Sequence, residues 1–128
     1  MTEPVWLTSK LVIAFHDVQL RQFGGPAGLR DPGMLDSALG RAINKWTYET
    51  AELPELAAAY AYGIARNHPF VDGNKRAAFL AVGMFLAVNG YRLQASQAEA
   101  TLTVLAVAAG ELEEAAFAAW LRAHIQPR

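Results

Sequence analysis

His68-Pro69-Phe70-Val71-Asp72-Gly73-Asn74-Lys75-Arg76 runs directly into an apolar stretch, Ala77 to Val88 (AAFLAVGMFLAV). The apolar stretch reads as a buried helix. Pro69 disfavours helical geometry at His68, so a preceding helix should stop about there. Lys75 and Arg76 then fall in or next to the first turn of the second helix. Cations there oppose the positive end of the helix dipole, at a cost of about 0.3–1 kcal/mol per charge. Unpaired backbone N–H groups point out of the same turn. This helix start is poorly made as pure structure and well made as a socket for phosphate.

Helical periodicity extends on both sides of this junction. Thr8 or Ser9 can cap a first helix with Leu11, Phe15 and Val18 on one face, ended by Gly24-Gly25. A Gly/Pro-rich loop follows. Asp31-Pro32 then supplies an N-cap and a first-turn proline for a short helix carrying Met34, Leu35, Ala38 and Leu39. Lys45 to Leu53 (KWTYETAEL) is ambiguous, because alternating Trp46 and Tyr48 with β-branched Thr47 and Thr50 suit an extended flap or a short hairpin arm. Pro54 restarts helix formation over Glu55 to Asn67. Beyond the apolar stretch, Gly90 suits a left-handed C-cap. Ser96-Gln97-Ala98-Glu99 is a capping-box pattern opening a helix to Ala109, and a last helix runs from about Leu112 to His124 with Leu112, Phe117, Trp120 and Leu121 inward. The expected fold class is all-α: one domain over residues 1–128, a compact bundle of about six helices with a short extended flap as an option.

The chain's 128 residues suffice to bury a real core, and 53% hydrophobic against 18% charged residues argues against disorder. A formal net charge of −1 without a Lys/Arg-rich run lacks the footprint expected for direct nucleic-acid binding. The absence of cysteine excludes disulfides, zinc-thiolate sites and a thiol nucleophile. Met1-Thr2-Glu3-Pro4-Val5-Trp6 lacks the basic stretch and apolar core of a signal peptide, and no apolar run is long enough to span a bilayer. A soluble, cytoplasmic protein with no membrane partner is expected.

Each residue type in the junction has a chemical job open to it. Gly73 permits a tight turn and close approach of a ligand to the backbone. Asn74 can hold the loop or donate to a phosphate oxygen. Lys75 and Arg76 neutralise phosphate charge as a point charge and a planar fork. Asp72 is a hard oxygen ligand suited to Mg²⁺, which takes one or two carboxylates plus phosphates. His68 supplies an imidazole, which can accept a proton from an attacking hydroxyl. Phe70 anchors the loop into the core. Taken singly, His68 reads as a cap or surface residue, Asp72 as an N-cap, and Asn-Lys-Arg as a solvated surface. Their convergence on one helix start favours a phosphoryl or nucleotidyl transfer site. His16 reads as a helix-surface residue and His124 as a cation near a helix C-terminus. Trp46 and Tyr48 read as packing aromatics, and Tyr60, Tyr62, Phe79 and Phe85 as core.

The junction resembles the signature of the Fic superfamily, His-x-Phe-x-Asp/Glu-Gly/Ala-Asn-Gly/Lys-Arg. Lys75, where most Fic proteins carry glycine, is similar to the death-on-curing (Doc) toxin branch. Further resemblance lies in Phe23-Gly24-Gly25, in Gly28-Leu29-Arg30-Asp31-Pro32-Gly33 and in Ala59-Tyr60-Ala61-Tyr62-Gly63-Ile64-Ala65, so it covers nearly the entire chain. It implies the toxin of a toxin–antitoxin pair, a kinase transferring the terminal phosphate of ATP to a hydroxyl of an elongation factor Tu-like protein and arresting translation. The alternatives are AMP transfer to a protein hydroxyl, as most Fic proteins perform, or a non-enzymatic co-repressor bound to an antitoxin. Carried over by position, His68 is the general base, Asp72 the Mg²⁺ ligand, and Gly73, Asn74, Lys75 and Arg76 the ATP-binding groups, with Lys75 and Arg76 acting in catalysis too. The Lys45–Leu53 segment corresponds to the flap that holds the target. Adenylylating members carry a second arginine three positions after the first, where this chain has Phe79. The chain also lacks the Ser/Thr-x-x-x-Glu-Gly/Asn inhibitory signature, so inhibition is expected from a separate antitoxin in trans, an apolar segment lying in a groove.

Overall fold

A computed structural model describes residues 2–26 and 28–128; Ala27, in the Gly/Pro-rich loop, lies outside the described residues. The helices are α1 (Ser9–Phe23), α2 (Pro32–Tyr48), α3 (Leu53–Asn67), α4 (Asn74–Val88), α5 (Gln97–Ala108) and α6 (Glu114–His124). Two short strands, β1 (Tyr91–Leu93) and β2 (Ile125–Pro127), pair antiparallel with Arg92 opposite Gln126. Among the described residues the fold is all-α with six helices, as expected. None of them is long and apolar enough to cross a membrane, among the described residues.

The caps fall where the residue types demand. Thr8 Oγ1 accepts the Leu11 N–H at 3.2 Å, Asp31 Oδ1 the Met34 N–H at 3.1 Å, and Ser96 Oγ the Glu99 N–H at 3.0 Å. Glu55 reaches back to the Glu52 N–H, so α3 starts at Leu53 with Pro54 in its first turn. β1 and β2 carry no sequence signal at three residues each. Gly90, in the left-handed region, turns the chain out of α4, and Arg128 N donates back to the Gly90 carbonyl at 2.9 Å. The strands thereby tie the end of α6 to the end of α4.

The central rod is α3, not the apolar stretch of α4. Leu56 to Ala61 and Gly63 to Ala65 are buried, whereas Gly83 and Val88 of α4 reach solvent. Alanine and glycine make this possible, since small side chains let neighbouring helices approach closely on all sides. A Cβ on Gly63 would lie 2.9 Å from the Ala38 Cα, so α2 and α3 cross almost backbone to backbone. Tyr60, Phe85, Phe117 and Phe70 fill the remaining core.

Three expectations are corrected. The extended flap does not begin at Lys45: α2 runs for 17 residues to Tyr48, and only residues 49–52 lie outside the helices, with Glu49 and Glu52 extended. Trp46 packs edge-on against Trp6, the Thr47 hydroxyl bonds the Ile43 carbonyl at 2.9 Å, and Lys45 pairs with Glu49 and Glu114. Tertiary packing and helical ion pairs thus override β propensity. Tyr48 is not a packing aromatic; it is 81% exposed at the helix end. Finally, α1 buries Val12 and His16, while Leu11 and Val18 face solvent. The inward stripe includes a histidine, and so an apolar-only count rotates the helix wrongly.

Candidate active site

The nine-residue junction forms the loop from the C-cap of α3 to the first turn of α4. His68 is the C-cap of α3 in a left-handed conformation, φ 50° and ψ 57°. It is the single non-glycine residue with positive φ among the described residues, at a steric cost of about 1–2 kcal/mol. Such strain persists where surrounding contacts over-determine it. Here Pro69 and Phe70 are buried directly behind it, and an antiparallel bridge pairs Phe70 with Leu29.

Asn74 holds the loop shut. Its Oδ1 accepts the Phe70 N–H at 2.9 Å and its Nδ2 donates to the Phe70 carbonyl at 3.0 Å, with the residue 8% exposed. The side chain is thus engaged with the loop, and what it presents toward a ligand is its backbone N–H. Gly73 is the N-cap of α4 at φ 78°. The first intrahelical donor is Ala77, bonding the Gly73 carbonyl at 2.9 Å, so the amides of Asn74, Lys75 and Arg76 have no partner within the helix. Lys75 and Arg76 occupy the first turn, both exposed, and neither is ion-paired among the described residues. Arg76 lies over the Phe23 ring, 4.2 Å from its centroid.

All six expected site residues, His68, Asp72, Gly73, Asn74, Lys75 and Arg76, line one open cavity of about 570 Å³. Its opposite wall is Phe23-Gly24-Gly25, at the end of α1. A Cβ on Gly25 would fall 2.7 Å from Asp72 Oδ2, so only a bare backbone lets the carboxylate sit where it does. Asp72 is a lone carboxylate here, and no group of three or more His, Cys, Asp or Glu exists among the described residues. One hard carboxylate beside a phosphate-type pocket fits Mg²⁺ bound jointly with a nucleotide, rather than in an all-protein cage.

His16 overturns its reading as a helix-surface residue. It is 2% exposed, stacks on Phe70 with centroids 3.8 Å apart, and places Nε2 2.6 Å from the Asp72 carbonyl oxygen. A carbonyl only accepts, so Nε2 carries the proton and donates. The histidine therefore pins the loop from beneath, at the residue whose carboxylate faces the cavity. Its spacing four residues after Val12 was the available signal. Phe23 and Arg30 were visible only as parts of the resemblance, and Gly25 beyond it only as a helix stop.

Unpaired amides, two cations outside any ion pair among the described residues, a carboxylate and an imidazole thus meet at one helix start of this helical bundle. The chain belongs to the Fic/DOC family, whose family model matches residues 6–86. It is 38% identical over 112 residues to "Protein kinase doc" of Escherichia phage P1, an alignment covering 87% of this chain and 88% of that protein. It is 45% identical over 76 residues to "Toxin Doc" of Mycolicibacterium smegmatis, covering 57% of this chain and 58% of that one.

Proposed function

We propose that this protein is a Doc-type toxin, a kinase that transfers the terminal phosphate of ATP to a hydroxyl of an elongation factor Tu-like translation factor. A cognate antitoxin restrains it in trans. The observation that carries the reading is the gathering of His68, Asp72, Lys75 and Arg76 around one cavity at the α4 N-terminus. The extended likeness to a protein named as a kinase and to one named as a toxin supports it.

In this reading the free amides of α4, with Lys75 and Arg76, grip the phosphates of ATP. Asp72 would hold Mg²⁺, which when bound supplies charge neutralisation for the phosphates. His68 takes the proton of the target hydroxyl as the hydroxyl oxygen forms its bond to the γ-phosphorus. The bond from that phosphorus to the bridging oxygen breaks, and ADP leaves with the electron pair. Lys75 and Arg76 offset the charge that moves onto the transferred group and the leaving oxygen. Phe79 is partly buried where adenylylating relatives have a second arginine, so one phosphate clamp of that chemistry is missing.

Incubation of the purified protein with a translation extract and either γ- or α-labelled ATP tests the reading. Label transferred from the γ position alone is expected. Label transferred from the α position would replace the kinase by a nucleotidyl transferase. His68→Ala and Asp72→Ala should each abolish both labelling and growth arrest; full toxicity of both variants would show that this loop is not the active site.

A further inference from the structure

Arg30 lies outside the motif, 38 positions before His68, on the loop leading into α2. Its Nε donates to the His68 carbonyl at 2.7 Å, and a terminal nitrogen donates to the Asn67 carbonyl at 2.9 Å. The adjacent main chain completes the grip, because the Arg30 and Asp31 N–H groups both donate to the Pro69 carbonyl, at 2.7 and 3.0 Å. Three consecutive carbonyls, from Asn67 to Pro69, thus end on one two-residue segment. Those carbonyls close the C-terminus of α3, and a guanidinium there complements the negative end of the helix.

The consequence reaches beyond capping. The Asn67 carbonyl belongs to the peptide that φ of His68 rotates, and the His68 carbonyl to the peptide that ψ rotates. A single side chain therefore grips both peptide planes that set the backbone of His68, the residue held left-handed at φ 50°. With both planes fixed, the direction of the Cα–Cβ bond is fixed too, and with it the point from which the imidazole reaches the cavity. The phosphate-gripping half of the site is held separately, by the Asn74–Phe70 pair and by His16.

We propose that Arg30 is a positioning residue: its fork holds His68 left-handed and aims the imidazole at the cavity. The proposal rests on the reading of His68 as general base. A lysine in its place is a single point charge that does not span the two carbonyls as a planar fork does.

The test compares wild type with Arg30→Ala and Arg30→Lys in three measurements. The first is the initial rate of phosphate transfer against ATP concentration in the translation extract. The second is the thermal midpoint. The third is the NMR signature of a left-handed residue 68, a strong intraresidue amide–α-proton Overhauser peak. Arg30→Ala is expected to lower the rate at saturating ATP by roughly ten- to a hundredfold, the scale of a misplaced catalytic group, with the half-saturating ATP concentration unchanged. The left-handed signature should vanish, and millimolar guanidinium should restore part of the rate. Arg30→Lys should lie near Arg30→Ala. A full rate in Arg30→Ala overturns the proposal, as does a reduced rate with the left-handed signature intact. If wild type transfers nothing, the kinase reading falls and the backbone signature alone decides: its loss in Arg30→Ala supports the grip, its persistence overturns it.

Discussion

Replacing His16 by phenylalanine keeps an aromatic ring against Phe70 and removes one hydrogen bond, that from Nε2 to the Asp72 carbonyl. The bond is short and part-buried, and the carbonyl it leaves lies in the loop between α3 and α4. Losing such a partner costs about 1–2 kcal/mol. In a chain of this size each kcal/mol moves the thermal midpoint by about 3–4 °C, so a fall of about 3–8 °C is expected by circular dichroism. The larger effect is local. With its backbone unpinned, Asp72 no longer holds its carboxylate on the cavity, and the Mg²⁺ concentration needed for half-maximal ATP binding should rise roughly tenfold, as for outer-shell partners of metal ligands. Titration calorimetry with ATP at varied magnesium measures this without any target protein. His16→Gln offers an amide N–H near the place of Nε2 and should recover most of both losses. A phenylalanine variant that melts with wild type and binds ATP at wild-type magnesium would refute the reasoning and make the contact incidental.

Gly63→Ala should destabilise by about 1–3 kcal/mol in urea denaturation despite the better helix propensity of alanine, because the new Cβ meets the Ala38 backbone at 2.9 Å; an unchanged midpoint would contradict the close crossing of α2 and α3. Gly25→Ala forces a methyl against Asp72 Oδ2 at a φ of +118°, so calorimetry should show weakened Mg²⁺-dependent ATP binding, while Gly24→Ala, with nothing within 4 Å of its Cβ, should bind normally and lose only about 1–3 kcal/mol of stability to backbone strain. Burial pushes the Tyr60 hydroxyl up to about 12, while in the unfolded chain it ionises near 10. The contribution of Tyr60 is therefore whole below pH 10 and is lost between pH 10 and 12, amounting to about 3 kcal/mol. Tyr60→Phe should remove that alkaline slope and lower stability at neutral pH by about 1 kcal/mol, since the buried Leu7 N–H loses its acceptor at 3.1 Å. Denaturant midpoints from pH 7 to 12 check both.

Much of this molecule is written in local patterns. Thr8, Asp31 and Ser96 cap the helices they precede because a side-chain oxygen two or three residues before a free amide is a short-range fit. Pro69 ends α3 and Gly73 opens α4 through steric limits on single residues, and the convergence of His68, Asp72, Gly73, Asn74, Lys75 and Arg76 follows from their adjacency on one turn. The reach of α2 through Lys45 to Tyr48 was not legible, because Trp46 is helical on account of Trp6, a residue forty positions away. Nor was the register of α1, whose buried face is set by what α4 and the loop offer His16. The sequence alone therefore determined the helices, the ends set by a cap, a proline or a glycine, and the identity of the chemical groups, since those depend on neighbours along the chain. Only the tertiary structure decided what holds the groups in place: His16 beneath Asp72, Gly25 beside it and Arg30 behind His68, contacts between distant segments that exist only once α1, α3 and α4 have packed.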